Sequence, residues 1–277
     1  MAKPTRFTQA MMEEYMALGY WNSVTMPQFV ARNAGEYADA EAVVDAQGNR
    51  LTWLEVKRLS DRIALGLQQL GLHRDQAVLA QLPDTVDNFR IAFRQAGILC
   101  AFAPMTLRHT EIHHALKTMV AVAVVIPRRY RNFDYLQMVR EIRHDLPELR
   151  HVIIAGDEAP EGTIPLDEMS QRPWKEQYPA EDLHQTSFGP FEVSEVLPTS
   201  GSTGLPKLCE RTEAVYCLHG RHVLAQLKLT PQDVIGIFSP ISGGPGLSAW
   251  CSTLQVPARS VLLDRLDAKE MLASIQK

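Results

Sequence analysis

A chain of 277 residues with 45% hydrophobic residues, 22% charged residues and a formal net charge of −4 can bury a large core and hold one or two domains. The slight acidity gives no electrostatic basis for gripping nucleic acid or an anionic membrane. No apolar run is long enough to span a bilayer, and the first seven residues lack the apolar stretch of a signal peptide, so a cytoplasmic protein with no membrane partner is expected.

Residues 1–40 carry aromatic and apolar anchors (Tyr15, Tyr20, Trp21, Phe29) without a clean period and read as a lead-in, with a short helix starting near Met26-Pro27. Ala42–Asp45 and Arg50–Thr52 flank Gln47-Gly-Asn49, a hairpin turn. Thr52 and Glu55 form a capping box for a helix with Val56, Leu59, Ile63, Leu67 and Leu70 on one face and Gly71 at its end. Val78–Leu82 reads as a strand ended by Pro83. Asp84 caps a helix with Val86, Phe89 and Phe93 on its face.

Beyond it, strand, helix, strand, helix and strand are expected over 97–103, 111–119, 120–126, 134–144 and 151–155. Apolar strands alternating with helices predict a mostly parallel sheet covered on both faces. Residues 156–190 hold five prolines and read as a long connection. A helix over 212–227, strands over 234–238 and 261–263, and a capping box at Asp267 and Glu270 with Leu266 and Met271 as its staple complete the pattern. The last helix starts well and stops with the chain, which reads as truncation. The expected organisation is a lead-in (1–40), a first α/β part (41–156), a connection (157–190) and a second α/β part (191–277).

Chemistry concentrates in Leu197–Lys207, LPTSGSTGLPK. Gly201 and Gly204 free the backbone to turn tightly and expose successive N–H groups. Thr199, Ser200, Ser202 and Thr203 add hydroxyls, and Lys207 adds an ammonium. Together these make a polyphosphate cradle, whereas a plain Ser/Gly surface loop is the bland alternative. The spacing is not G-x-x-x-x-G-K-[ST], so a P-loop that opens a helix is disfavoured. His219 and His222 have one-turn spacing but no third ligand is apparent, so no metal site is expected. The four cysteines (Cys100, Cys209, Cys217, Cys251) lack C-x-x-C spacing and read as reduced thiols.

SGSTGLPK, its flank through Arg211-Thr212, and segments such as Leu51-Thr-Trp-Leu-Glu55, Gln81-Leu-Pro83, Phe133-Asp-Tyr135 and Val261–Asp267 resemble the adenylate-forming superfamily. The likeness is strongest to its 2,3-dihydroxybenzoate–AMP ligase branch, an aryl-acid group tied to siderophore biosynthesis. The resemblance implies an α/β fold of mostly parallel sheets flanked by helices, corresponding to the N-terminal subdomains of such an enzyme. It implies ATP with Mg2+, activation of a carboxylic acid to an acyl-adenylate with release of pyrophosphate, and transfer to the thiol of coenzyme A or a carrier protein. Thr199, Ser200, Gly201, Ser202, Thr203, Gly204 and Lys207 match the residues that hold the phosphates, and Pro206 is expected to shape the turn without contacts of its own.

The chain departs from the branch where it has Ala-His-Asn-aromatic. Here Ser242, Gly243, Gly244 and Pro245 stand, so Ser242, Gly243 and Gly244 are the candidates for the acid site, on a backbone expected to be flexible. Glu213 also departs and reads as a solvated acid at a helix start. No catalytic residue is assigned. The family's adenine-binding aromatic, ribose-binding Asp, magnesium-binding Glu and catalytic Lys have no counterpart, so the isolated chain is expected to be weak or inactive. The alternative is an adenylation fold that turns nothing over and serves as a nucleotide-binding or interaction module.

Overall fold

The structure is a computed structural model that describes residues 7–86, 90–156, 159–172, 182–199, 201, 204–263 and 267–275. The chain opens with α1 (Gln9–Ala17) and α2 (Met26–Glu36), then the hairpin of β1 (Glu41–Val44) and β2 (Arg50–Thr52). α1 buries none of its residues, so no apolar period marked it in the sequence; Tyr15 instead meets Trp21 edge-on at 4.9 Å. α3 (Trp53–Gln69) follows with the expected box: Glu55 N donates to Thr52 Oγ1 and Thr52 N to Glu55 Oε2, at 3.3 and 2.8 Å.

Next come β3 (Ala77–Ala80), α4 (Arg90–Gln95), β4 (Leu99–Phe102), α5 (His109–Met119) and β5 (Ala123–Pro127). A small ribbon of β6 (Arg129–Tyr130) and β7 (Phe133–Asp134) leads to α6 (Tyr135–Ile142) and β8 (His151–Ala155). Phe89 of the helix expected after Asp84 lies outside the described residues. The described residues of the proline-rich stretch include β9 (Ile164–Pro165), α7 (Leu166–Gln171) and α8 (Asp182–Thr186). A two-residue strand ending in proline leaves no period to read. The chain closes with β10 (Val193–Pro198), β11 (Leu208–Thr212), α9 (Glu213–Leu227), β12 (Val234–Ile237), α10 (Gly244–Gln255), β13 (Arg259–Leu262) and α11 (Ala268–Ile275). At α11, Asp267 Oδ1 accepts from Lys269 N at 3.0 Å; Leu266 of the expected staple lies outside the described residues.

Two sheets organise these elements. The larger runs β11-β10-β4-β3-β5-β8-β9, parallel throughout except for β11 at one edge. The smaller runs β12-β13-β1-β2, antiparallel only at β2. Each sheet therefore draws strands from both sides of the 157–190 stretch. β3 and β5 are buried at every position, which is why they read as unbroken apolar runs rather than alternating ones. Val78 and Ala80 face the core under α3 and α4, while Leu79 faces the opposite core with Ile112 and Val139. A third core joins α2 and α10 to the smaller sheet through Trp250, Leu247, Ile237 and Leu262. Among the described residues no helix is long and apolar enough to cross a membrane.

Candidate nucleotide-phosphate site

β10 and β11 pair antiparallel, with Leu197 opposite Cys209 and Pro198 opposite Leu208. The glycine- and hydroxyl-rich stretch is thus a hairpin loop leading into a strand, in keeping with the spacing that disfavoured a loop opening a helix. It leaves the carboxyl end of β10, which runs parallel to β4, and the carboxyl ends of parallel strands are where open α/β sheets take ligands. Thr199 N donates to Lys207 O at 2.8 Å, and Lys207 N to Thr199 Oγ1 at 2.9 Å. The Thr199 hydroxyl therefore closes the neck of the loop.

Within the loop Gly204 N donates to Gly201 O at 3.0 Å. Gly201 has φ +67° and Gly204 φ +147°, conformations that favour glycine. A Cβ on Gly201 would also lie 2.7 Å from Gly204 O. Pro206, expected to touch nothing, is buried beneath this turn, its Cδ 3.4 Å from that same Cβ position. Lys207 is exposed and forms no ion pair among the described residues. Ser200, Ser202 and Thr203 lie outside the described residues.

What holds the loop's base was missed in the sequence. Arg90 and Arg94, one turn apart on α4, are fully buried with Glu195 of β10 and Glu213 of α9. Arg90 Nη1 donates to Glu195 Oε1, Arg94 Nη2 to Glu195 Oε2 at 2.6 Å, and Arg94 Nε to Glu213 Oε1 at 2.6 Å. Ser194 Oγ and Met26 N also donate to Glu213, at 2.5 and 2.9 Å. Glu213 is therefore not the solvated acid expected at that helix start. Its carboxylate points inward because two donors and a guanidinium replace the lost water. The two guanidinium and two carboxylate charges cancel formally. Burial alone would raise the Glu195 pKa, but Arg90 and Arg94 outweigh it and hold the group below the usual carboxylate range. Two Arg at i, i+4 with acids far along the chain were the only sequence signal.

Arg90 also reaches Ile241, the residue before the acid-site candidates. Its Nη2 donates to Ile241 O at 2.7 Å, and Asp84 Oδ2 accepts from Ile241 N at 3.0 Å. Ser242 is buried. Gly243 is the N-cap of α10, and Gly244 is its first residue. The flexible backbone expected here is thus a fastened bend running into a helix, since Pro245 presets the first turn. Gly246 is packed so closely that a Cβ would strike the Ser239 carbonyl oxygen and come 2.5 Å from that of Pro240. Gly246→Ala is therefore expected to destabilise by about 1–3 kcal/mol through forced backbone shift. Gly244→Ala, with nothing within 4 Å of the new methyl, should leave the melting temperature near the parent's; equal melting of the two variants would refute the packing account.

His219 and His222 are both exposed, and among the described residues no group of three or more His, Cys, Asp or Glu is placed to hold a metal. A cavity of about 810 Å³ lies against the smaller sheet, away from the loop.

A family model described as AMP-binding enzyme matches residues 30–277. The 2,3-dihydroxybenzoate-AMP ligase of Bacillus subtilis is 29% identical over 214 residues, 76% of this chain and 38% of that protein. The salicyl-AMP ligase / salicyl-S-ArCP synthetase of Mycobacterium tuberculosis is 31% identical over 229 residues, 79% of this chain and 39% of that protein. The chain thus spans under two-fifths of the length of these curated relatives. Among solved structures, the apo structure of Mycobacterium smegmatis MbtA superposes with a TM-score of 0.86 at 26% identity, covering 98% of this chain and 50% of that one.

Proposed function

The chain belongs to the AMP-binding enzyme family, and from that premise we propose that it supplies the phosphate-gripping part of an ATP-dependent carboxylate–AMP ligase acting on an aryl acid. The observation that carries this reading is the β10–β11 hairpin loop. Its turn is built on two glycines at positive φ, Pro206 packs beneath it, and the ammonium of Lys207 is left without an ion pair among the described residues. That arrangement suits a nucleotide triphosphate: amides and hydroxyls around the phosphates and one cation beside them. In the reaction, a carboxylate oxygen of the acid attacks the α-phosphorus and the bond from that phosphorus to pyrophosphate breaks. The chain's part is to hold the triphosphate in line and to balance the charge gathering on the leaving pyrophosphate.

Gly201, Gly204 and Lys207, with Thr199 closing the neck and Ser200, Ser202 and Thr203 completing the loop, are the proposed phosphate residues. Ser242, Gly243 and Gly244 are the proposed acid-side residues, held to the same frame by Arg90. Magnesium would enter with the triphosphate and neutralise its charge. Among the described residues no group of three or more His, Cys, Asp or Glu is placed to hold it. The acceptor proposed is a thiol of coenzyme A or a carrier protein.

The test is ATP–pyrophosphate exchange with salicylate, 2,3-dihydroxybenzoate, benzoate and aliphatic acids. Acid-dependent exchange, strongest with an aromatic acid, is the expected result. No exchange with any acid, while ATP still raises the melting temperature, would leave a nucleotide-binding module in place of a ligase.

A further inference from the structure

We propose that Arg90 is a positioning residue that couples the two halves of the site, so that a nucleotide on the phosphate loop and an aryl acid at the Ser242–Gly244 bend each tighten the other's binding. The proposal rests on the reading above and goes beyond it by assigning a residue to the communication between the two ligands.

One guanidinium bridges the two halves. Its Nη1 donates to Glu195 Oε1 on β10, the strand from whose end the phosphate loop departs. Its Nη2 donates to Ile241 O at 2.7 Å, and Ser242 follows directly. Asp84, a few residues past β3, accepts from Ile241 N at 3.0 Å, so both backbone polar groups of Ile241 are fixed. The guanidinium carbon sits over the ring of Phe102, the last residue of β4, 3.8 Å from its centroid. That contact holds the guanidinium plane. Arg90, Glu195, Asp84, Phe102 and Ile241 are all buried.

The donors of a guanidinium form a rigid planar fork, so the two arms cannot follow their partners independently. A close-packed interior transmits displacement rather than absorbing it. A shift of Glu195 therefore moves the Ile241 carbonyl with it. A nucleotide that orders the loop orders the bend in advance, and the acid then binds with less ordering left to do. Linkage makes the effect reciprocal. Arg94 belongs to the same buried cluster but serves another branch. Its carboxylate partners are Glu195 and Glu213, and Glu213 accepts from the Met26 amide of α2. None of these bonds reaches the bend, so Arg94 is an internal control with matching charge and burial.

The experiment is calorimetric titration of the chain with salicylate, in the presence and absence of α,β-methylene-ATP, whose carbon bridge blocks release of pyrophosphate. Salicylate is expected to bind about fivefold tighter or more when the analogue is bound, and the analogue to gain the same factor from salicylate. Arg90→Lys keeps a charge beside Glu195 but loses the second arm. It should bind the analogue alone and show coupling below about twofold. Arg94→Lys should keep the parent's coupling. Hydrogen exchange of the parent covers the case in which neither variant folds: the analogue alone should slow the amides of 239–244 as well as those of 199–207. Protection of 199–207 without 239–244 overturns the proposal. So do equal salicylate affinities with and without the analogue, and equal coupling in Arg90→Lys and the parent. Loss of coupling in both lysine variants overturns it too, leaving the cluster a structural prop. An analogue that protects neither segment removes the phosphate reading itself, and the coupling with it.

Discussion

Glu195→Gln is expected to destabilise the chain by about 3–5 kcal/mol, the effect of stripping one partner from a buried ion pair. The substitution keeps the shape and removes the charge. Arg94 then keeps one carboxylate, Glu213, while Arg90 loses the charge of Glu195, all of them fully buried. A loss of that size is a large fraction of the stability of an ordinary domain, so urea unfolding should show a markedly lower midpoint with little change in slope. The same site gives a pH signature. Because Arg90 and Arg94 depress the Glu195 pKa in the folded state, its contribution is complete above the unfolded value of about 4.3 and is lost as pH falls through the folded value. The parent should therefore lose more stability than the variant between neutral pH and the acid side of that range. Parallel acid profiles for the two proteins would show that Glu195 is not the group that titrates. The functional consequence is positional: Glu195 lies three residues before Pro198, so disorder at its side chain reaches the root of the phosphate loop.

Lys207→Ala should weaken ATP binding by roughly 10- to 100-fold, the range expected when a hydrogen bond to a charged group is removed. Its melting temperature without ATP should stay at the parent's, because the side chain is exposed and pairs with nothing among the described residues. Lys207→Arg should retain more affinity than the alanine variant, since charge survives while the reach changes. Calorimetric titration with ATP and the ATP-induced shift in melting read both effects. An alanine variant that binds ATP as tightly as the parent would remove Lys207 from the phosphate site. One that melts early without nucleotide would make the lysine structural instead.

The order of strands and helices was legible because the buried strands are short and apolar, with a proline at or shortly past the end of Ala77–Ala80 and Ala123–Pro127. The α3 cap was legible because a capping box is a local bond pattern, complete within four residues. The loop proposed to hold phosphate stands out in the sequence for the same reason: its glycines, hydroxyls and lysine are contiguous. α1 and β9 were not, since a helix that buries nothing and a strand of two residues leave no period.

By itself, then, the sequence determined the α/β class, the run of elements and the residues of the loop, all of which depend on neighbours a few positions apart. Only the tertiary structure decided that β1 and β2 join β12 and β13, that Glu213 turns inward, and that Arg90 ties the root of the loop to Ile241, 151 positions away. Those outcomes turn on burial and on pairing between distant groups. A carboxylate is solvated or buried according to whether a guanidinium waits for it, and nothing in its own neighbourhood along the chain records that.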